Sequence, residues 1–257
     1  MILFKYKSIA LPSDEKKIYS EIFIRDCKCL LNNQLWFSSL EILNDPFEGV
    51  FQIDTSIGKA LKLLKKDVNI EKLENLKINI IKDKKKNSGI LSLTTDNQNL
   101  LMWSHYTNNQ KGYCIEFNLE SKNFIEFNNK KLISKVDLKK VNYSDEYPKA
   151  SILHSDNNMI FGFKSKCWNY EKEYRFISDN SGLHTYDENC LKTIFLGADC
   201  GLIEEILLCS IAYIKGAKVY KAKLFSDKFK LYFLPYDLVS LNKRINCQRF
   251  INEALAG

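Results

Sequence analysis

The sequence has no long hydrophobic segment. No run of about 18 apolar residues occurs in the chain, and a membrane-spanning helix needs about 20 of them. The pattern of a secretory signal is also missing, because Lys5 and Lys7 lie inside the first short apolar stretch instead of before it. We therefore expect a cytoplasmic protein without a membrane partner.

Glycine and proline are scarce, with 10 and 4 residues respectively, so the chain has few natural breaks for linkers. Aromatic residues are plentiful, and the 16 Phe, 13 Tyr and 3 Trp supply enough apolar material for one sizeable core. We expect a single domain over 1–257, with a helical insertion at about 56–87 and a C-terminal helical tail at about 236–257.

Metal-ligand spacing is absent from the sequence. There are 8 cysteines, but no Cys-x-x-Cys pair occurs, and the 3 histidines are isolated from the cysteines and from one another. Because a zinc site needs such clusters, no metal is expected. Cys114, Cys167 and Cys209 lie among apolar residues, which predicts small buried side chains.

Several motifs of well-known enzyme classes are missing. The sequence has no Gly-x-x-x-x-Gly-Lys loop, no Gly-x-Gly-x-x-Gly turn, no Gly-x-Ser-x-Gly elbow and no His-Glu-x-x-His. Interpretations as a P-loop kinase, a Rossmann enzyme, an α/β-hydrolase or a metalloprotease therefore lose most of their support.

Positive charge is in excess, with 38 Lys and Arg against 31 Asp and Glu, and it is clustered. Such clusters form either a solvated face or a surface that attracts phosphates or an acidic partner. The clusters are therefore compatible with a protein or a nucleic acid as the acceptor. Arginines are few, however, which disfavours recognition of specific bases. The clusters are Lys82, Lys84, Lys85 and Lys86, and then Lys130, Lys131, Lys135, Lys139 and Lys140.

The hydrophobic pattern predicts an α+β fold, because strands and helices follow one another without regular βαβ alternation. Helices are predicted from about Ser13, within 56–86, from a cap at Asp96 or Asn97 to Tyr106, and at Leu202–Tyr213. Strands are predicted at Ile2–Tyr6, Gln34–Phe37, Ile90–Leu93 and Gly112–Asn118, and within 131–143, 172–178, 192–196, 217–224 and 230–234.

The acidic segment around Glu171 is the strongest candidate for chemistry. On a strand from Glu171 to Ile177, the period of two places Glu171, Glu173 and Arg175 on one face. Side chains two residues apart on a strand are separated by roughly 6–7 Å, so two acids can act on one substrate in different roles. The alternative is a solvent-facing strand whose charges form weak surface pairs.

A second candidate is the predicted helix that ends near Tyr106. His105 is a possible general base or substrate donor, since its ordinary pKa lies near neutrality. Trp103 and Tyr106 are possible stacking platforms for a planar ligand. The alternative is that all three are hydrogen-bonded or packed in the core.

A third candidate is the end of the predicted strand Gln34–Phe37. Ser38 and Ser39 follow it and can present hydroxyls at a cleft, while Asn44 and Asp45 can order the loop that borders it. A structural role in capping is the alternative for this segment.

Five sequence motifs follow the opening Lys5-Tyr6 strand in a fixed order. They are Leu35-Trp36-Phe37-Ser38-Ser39, Asn44-Asp45-Pro46-Phe47-Glu48, Met102-Trp103-Ser104-His105-Tyr106 with Gly112, Trp168 with Glu171-x-Glu173-Tyr174-Arg175, and Ile194-Phe195-Leu196-Gly197. Taken in this order, the motifs resemble the bacterial DUF2971 family of uncharacterised domains. The resemblance extends from residue 1 to about 200, and it identifies relatives without supplying an activity.

A more distant resemblance connects the chain with ADP-ribosyltransferases. The strand carrying Lys5 and Tyr6, the strand running into Ser38 and Ser39, and the late Glu171-x-Glu173 are similar to the three-part pattern of that family. The resemblance implies a central split, mixed β-sheet that clamps NAD.

The same resemblance implies roles for individual residues. Glu173 would hydrogen-bond the nicotinamide ribose and stabilise the oxocarbenium ion, and Glu171 would orient the acceptor. Lys5 or Tyr6 would contact NAD, with Ser38 supporting the site. A toxin or phage-defence context would suit a family of this kind.

Two other functions remain open from the residues. A nuclease or phosphotransferase could use Glu171, Glu173 and His105 with the lysine clusters as a phosphate track. A non-enzymatic module could bind a nucleotide or partner in an aromatic cleft lined by Trp103, Tyr106 and Trp168.

Overall fold

The structure is a computed structural model that describes residues 1–9, 21–54, 56, 69–119, 125–126, 136–151, 161–237 and 239–243. The predicted helix start at Ser13 and the lysines Lys130, Lys131 and Lys135 lie outside these residues. So do 57–68 of the predicted insertion and 244–257 of the predicted tail, although 239–243 are helical.

Helices and strands both contribute, as the α+β prediction requires. The helices are α1 (Glu21–Leu31), α2 (Ile70–Asn87), α3 (Leu100–His105) and α4 (Leu202–Ile214), and short 3-10 turns occur at Leu40–Ile42, Lys166–Glu171 and Glu188–Cys190. The strands are β1 (Ile2–Lys7), β2 (Gln34–Phe37), β3 (Gln52–Asp54), β4 (Gly89–Thr94), β5 (Tyr113–Asn118), β6 (Ile125–Glu126), β7 (Val136–Lys140), β8 (Asn142–Ser144), β9 (Lys149–Ser151), β10 (Phe163–Ser165), β11 (Glu173–Ser178), β12 (Gly182–Tyr186), β13 (Leu191–Leu196), β14 (Lys218–Leu224) and β15 (Leu231–Pro235).

The chain divides into two compact units, each built from separate stretches of sequence. Unit 1 comprises Met1–Leu35, Leu93–Glu126 and Thr185–Gly257. Unit 2 comprises Trp36–Ser92 and Phe127–His184.

Unit 1 contains a mostly antiparallel sheet with the strand order β15-β14-β13-β5-β1-β4. Only the last residues of β4, from Leu93 onwards, belong to this unit. β1 lies antiparallel to β5, with Lys5 opposite Ile115. β13 and β14 are parallel and are joined through α4, since a parallel pair needs a crossover connection. The core includes Leu3, Phe117 and Ile194, each fully buried.

Unit 2 contains the strand order β4-β11-β7, in which β11 and β7 are antiparallel. Two short parallel pairs, β10 with β8 and β3 with β9, also belong to this unit. α2 begins at the Asn69 cap, whose side chain accepts from the Lys72 N–H. Its last turn contains lysines, whose positive charges are stabilised by the negative end of the helix dipole. The core of this unit is formed by Leu40, Ile81, Ile90, Ala150, Phe161 and Ile177.

Two local predictions are wrong. α3 is capped by Asn99, whose Oδ1 accepts from the N–H groups of Leu101 and Met102, and not by Asp96 or Asn97. Cys167 is exposed because the 3-10 turn Lys166–Glu171 buries its last residue, Glu171, and not its first residues, whereas Cys114 and Cys209 are buried as predicted. Within the described residues, no helix combines the length and the apolar character that crossing a membrane requires.

Candidate functional site

Glu173 and Arg175 share one face of β11, as the strand period predicts. Arg175 Nε donates to Glu173 Oε1 over 2.9 Å, and Arg175 Nη2 donates to Glu173 Oε2 over 3.1 Å. The two side chains therefore form a two-point ion pair between neighbours on the same strand face, which fixes the orientation of both.

Glu171 does not belong to that strand, which corrects the predicted spacing. It ends the 3-10 turn Lys166–Glu171, and Lys172 then adopts a left-handed backbone with φ of 45° before β11 begins at Glu173. A left-handed residue interrupts the alternation of a strand, so Glu171 reaches the site from the preceding turn.

Arg175 also binds a residue that lies far away in the sequence. Its Nη1 donates to Glu48 Oε2 over 2.8 Å and to the Phe161 carbonyl over 2.8 Å, and its Nη2 donates to Glu48 Oε1 over 2.5 Å. With the bonds to Glu173, all five N–H groups of the guanidinium have an acceptor. Glu48 belongs to the motif Asn44-Asp45-Pro46-Phe47-Glu48, but the sequence gave no sign of this partner.

Lys164 on β10 connects the carboxylates. Its Nζ lies 2.6 Å from Glu171 Oε2, 3.5 Å from Glu173 Oε2 and 3.8 Å from Glu48 Oε1. The same Nζ lies 4.7 Å from the centre of the Trp168 ring, within the range of a cation–π contact. Sequence analysis missed Lys164, because it occupies a three-residue strand outside every recognised motif.

These five side chains, Glu48, Lys164, Glu171, Glu173 and Arg175, form what we call the carboxylate cluster. Arg175 is 0% exposed, and the exposed fraction of the other four side chains is 3–6%. The alternative of a solvent-facing strand with surface pairs is therefore wrong. Three carboxylates face two cations, so the cluster has one formal negative charge in excess.

The ionisation of the cluster follows from its charges. Burial raises the pKa of the Glu173 carboxyl, but Arg175, Lys164 and a hydrogen bond from Ser92 outweigh burial and lower this pKa to about 2. Burial lowers the pKa of Arg175, and its two glutamate partners raise it above the ordinary value. Both groups are therefore charged at neutral pH.

A tyrosine supports the backbone beside this pair. The Tyr143 hydroxyl accepts from the Glu173 N–H over 2.8 Å, and burial raises the pKa of that hydroxyl. The hydroxyl therefore stays protonated at neutral pH and still has its own proton to donate. Tyr143 is a second residue that sequence analysis did not identify.

Two clefts of unit 2 are lined by residues of the segment Asp45–Glu48. The smaller cleft has a volume of about 160 Å³ and is lined by Phe47, Tyr147 and Lys164. The larger cleft has a volume of about 590 Å³ and is lined by Asp45, Glu48 and lysines of α2. Ligand pockets commonly measure about 300–1,000 Å³, so the larger cleft lies within this range and the smaller cleft lies below it.

The serines of the third candidate also lie in unit 2. Ser38 forms a two-way backbone bridge with Ile90, and Ser39 precedes the turn Leu40–Ile42 without a capping hydrogen bond from its side chain. These contacts explain the shape of the segment that leads to Asp45, which favours the structural alternative for Ser38.

The remaining predicted site residues belong to unit 1. Tyr6 packs edge-on against Trp103, with ring centres 5.3 Å apart, and its hydroxyl donates to the Asp96 carbonyl. Trp103 is fully buried and its Nε1 donates to the Asn97 carbonyl, so packing explains it without a ligand. Lys5 is partly buried on β1.

The last two predicted site residues, His105 and Tyr106, lie at the end of α3. His105 is exposed at the last position of the helix, and Tyr106 follows it partly buried. The structure therefore brings Glu171, Glu173 and Arg175 together in unit 2, and it assigns His105 and Tyr106 to unit 1. In the part of the chain that the structure describes, no three His, Cys, Asp or Glu residues are grouped to hold a metal ion.

Comparison with known proteins confirms the first resemblance. Residues 102–176 match the family model described as Protein of unknown function (DUF2971). The match contains the His105 motif and the segment from Glu171 to Arg175, and it leaves out the Ser38 and Glu48 segments. No curated protein and no solved structure matches the chain significantly.

Proposed function

We propose that the protein is an ADP-ribosyltransferase-like enzyme that takes NAD as its substrate, with the carboxylate cluster of unit 2 as the reacting site. In this reaction the bond between C1′ of the nicotinamide ribose and nicotinamide breaks, and nicotinamide leaves with the bonding electrons. A nucleophile on a protein or nucleic-acid acceptor then bonds to C1′ and loses its proton.

The observation that supports this proposal is the excess negative charge of the buried cluster. A carboxylate that stays ionised in a low-dielectric site beside the ribose stabilises the sugar cation more than it stabilises the ground state, in which the positive charge lies on the nicotinamide ring. Glu173 meets this requirement, since Arg175 and Lys164 keep its pKa at about 2. Glu171, which ends a turn, is suited to orient the acceptor.

The smaller cleft suits one part of NAD. Phe47 and Tyr147 are 56% and 43% exposed, and their ring centres are 6.4 Å apart. Exposed rings of this kind stack on a planar heterocycle such as nicotinamide. Lys164 lies both in the cleft and in the carboxylate cluster, so a ring bound there lies next to the charged groups.

The finer fold assignment belongs to the same proposal. We infer that the mixed sheet is the split sheet of ADP-ribosyltransferases, because the strand before Ser38 and the strand that begins at Glu173 follow in the order of that pattern. The roles of Lys5, Tyr6, His105 and Tyr106 remain predictions.

The test is NAD consumption, measured as nicotinamide release by the wild type and by Glu173→Gln. The proposal expects release by the wild type and a loss of at least about 100-fold in the variant, as for removal of one transition-state contact. Glu188→Gln, which changes an exposed carboxylate, is the matched control. Glu171→Gln is the second variant if Glu173→Gln does not fold. Equal nicotinamide release by wild type and by both cluster variants would overturn the proposal.

A second candidate is a non-enzymatic nucleotide-binding module. The observation that favours it is the saturation of Arg175, whose five N–H groups all bind protein acceptors, so the cluster is complete without a substrate. Nucleotide binding that survives Glu173→Gln, with no NAD consumed by the wild type, would select this candidate.

A further inference from the structure

The turn between β14 and β15 is closed by backbone hydrogen bonds. The two strands stay paired up to Leu224, which lies opposite Leu231. Beyond them, the Phe225 N–H donates to the Lys230 carbonyl over 3.0 Å, and the Lys230 N–H donates to the Lys228 carbonyl over 2.8 Å. The backbone of the turn is therefore held to the two strands, and so is the placement of the side chains that it presents.

Lysines and aromatic rings are interleaved on this hairpin. Lys223 lies directly opposite Tyr232, and such opposite residues share one face of an antiparallel pair. The Phe225 ring reaches the same face, since its centre lies 4.7 Å from the centre of the Tyr232 ring. Lys228 Nζ lies 5.3 Å from the centre of the Phe225 ring, within the range of a cation–π contact. Each ring therefore has a lysine beside it.

These side chains are open to solvent. Phe225 and Tyr232 are 39% and 36% exposed although their rings pack together. Within 223–232 there are three lysines and one acidic residue, Asp227, so the segment has a net formal charge of +2. We call the two rings and the three exposed lysines the hairpin surface, which consists of Lys223, Phe225, Lys228, Lys230 and Tyr232.

The interleaving of rings and cations indicates the chemistry of the partner. Proteins that bind single-stranded nucleic acid combine cations that follow the phosphates with rings on which the bases stack. Segments that lie on a membrane instead collect their apolar side chains on one face and their lysines on another. Here Lys223 and Lys228 lie beside the rings, and lysines suit phosphates without reading bases. The hairpin surface therefore fits a single strand better than a bilayer.

We propose that the hairpin surface binds single-stranded nucleic acid, with the rings of Phe225 and Tyr232 stacked on bases and the three lysines against phosphates. The inference is independent of the proposed function, because the surface belongs to unit 1 and binding requires neither NAD nor the carboxylate cluster. Such a surface binds without sequence preference beyond the strength of base stacking.

Fluorescence anisotropy of a labelled oligo-dT of about 12 nucleotides tests the hairpin surface in the full chain, without NAD. The proposal expects the oligonucleotide to bind. It expects a duplex of the same length and polyphosphate each to bind at least about tenfold more weakly, because neither offers free bases. No oligo-dT binding at up to about 100 μM protein in low salt, or equal binding of the duplex or of polyphosphate, would overturn the proposal.

The lysines are tested through the salt dependence of binding. Three phosphate contacts predict a slope of about −2 when the logarithm of the binding constant is plotted against that of the salt concentration. Lys223→Gln and Lys230→Gln should each make this slope shallower by about 0.7. Lys218→Gln is the matched control, because Lys218 is exposed at the other end of β14. Equal slopes for all three variants would contradict the proposal.

The rings are tested by variants that keep an apolar side chain. Phe225→Leu and Tyr232→Leu should each weaken oligo-dT binding about tenfold, since each removes one stacking platform. Tyr213→Leu removes a ring of α4 that is 77% exposed, and it should bind like the wild type. Thermal melting checks that each variant is folded. Wild-type affinity in both hairpin variants would refute base stacking on this surface.

Phe229 distinguishes a membrane from a nucleic acid as the partner. It is 98% exposed in the same turn, and its ring is the one that a bilayer would take up. Vesicles of phosphatidylcholine and phosphatidylserine are the probe in a cosedimentation assay. Vesicle binding that is lost in Phe229→Ala, together with no binding of oligo-dT by the wild type, would assign the hairpin to a membrane and overturn the proposal.

Discussion

Arg175 and Glu48 form a bidentate ion pair across 127 residues of sequence, with N–O distances of 2.8 and 2.5 Å. Both side chains are shielded from solvent, and the guanidinium also holds Glu173 on its own strand. The pair therefore holds the Asp45–Glu48 segment against β11, and residues of this segment line both clefts.

Removal of the Arg175 guanidinium should strongly destabilise the fold. Arg175→Met leaves Glu48 and Glu173 buried without their main partner, and the free energy of unfolding should fall by about 3–5 kcal/mol in urea titrations. Arg25→Met is the control, because Arg25 pairs with Asp26 while its side chain is 51% exposed, and it should lose less than about 1 kcal/mol. Similar losses in both variants would refute the structural role assigned to Arg175.

Stability should depend on acidic pH through Glu173. The folded protein lowers the pKa of this carboxyl from 4.5 to about 2, so its ionised form stabilises the fold above pH 4.5. That contribution should be lost progressively as the pH falls from 4.5 towards 2. Urea unfolding across this window should show a smaller pH dependence for Glu173→Gln than for the wild type, and identical slopes would contradict the prediction.

The exposed rings of the smaller cleft should matter for binding and not for folding. Phe47→Ala and Tyr147→Ala should leave the free energy of unfolding within about 0.5 kcal/mol of the wild type. Under the proposed function, the KM for NAD should rise by about tenfold, since base stacking on one ring contributes about 1–3 kcal/mol. Phe229→Ala, at a residue 98% exposed, is the control. An unchanged KM in both cleft variants would exclude this cleft as the nicotinamide site.

A buried ion pair in unit 1 gives a prediction that is independent of any activity. Glu205 is fully buried, pairs with Lys221 and accepts from the Tyr236 hydroxyl over 2.6 Å. Glu205→Gln leaves the Lys221 charge buried without compensation, and we expect a loss of about 3–5 kcal/mol in unfolding experiments. Glu204→Gln, one residue earlier on α4 and only partly buried, should lose less than about 1 kcal/mol. Equal effects would disprove the assignment.

Local sequence patterns predicted most of the regular elements. β1, β2, β4 and β13 lie close to their predicted positions, because short apolar runs bounded by polar residues favour strands wherever they are packed. The shared face of Glu173 and Arg175 was predictable for the same reason, since it depends only on the period of two within one strand.

Two parts of the site had no local signal. Lys172 adopts a left-handed backbone and moves Glu171 out of the strand, which the residue type of a lysine does not reveal. Lys164 has no motif of its own and joins the cluster only when β10 is placed beside the turn that ends in Glu171.

The sequence by itself determined the α+β class, the positions of many strands and the side-by-side placement of Glu173 and Arg175, because these follow from interactions between near neighbours. Only the tertiary structure decided that this pair is buried, that Glu48 and Lys164 complete it, and that the Asp45–Glu48 segment forms the wall of two clefts. The reason is physical: burial and the pairing of charges 127 residues apart arise when distant segments pack together, and no local pattern encodes that packing.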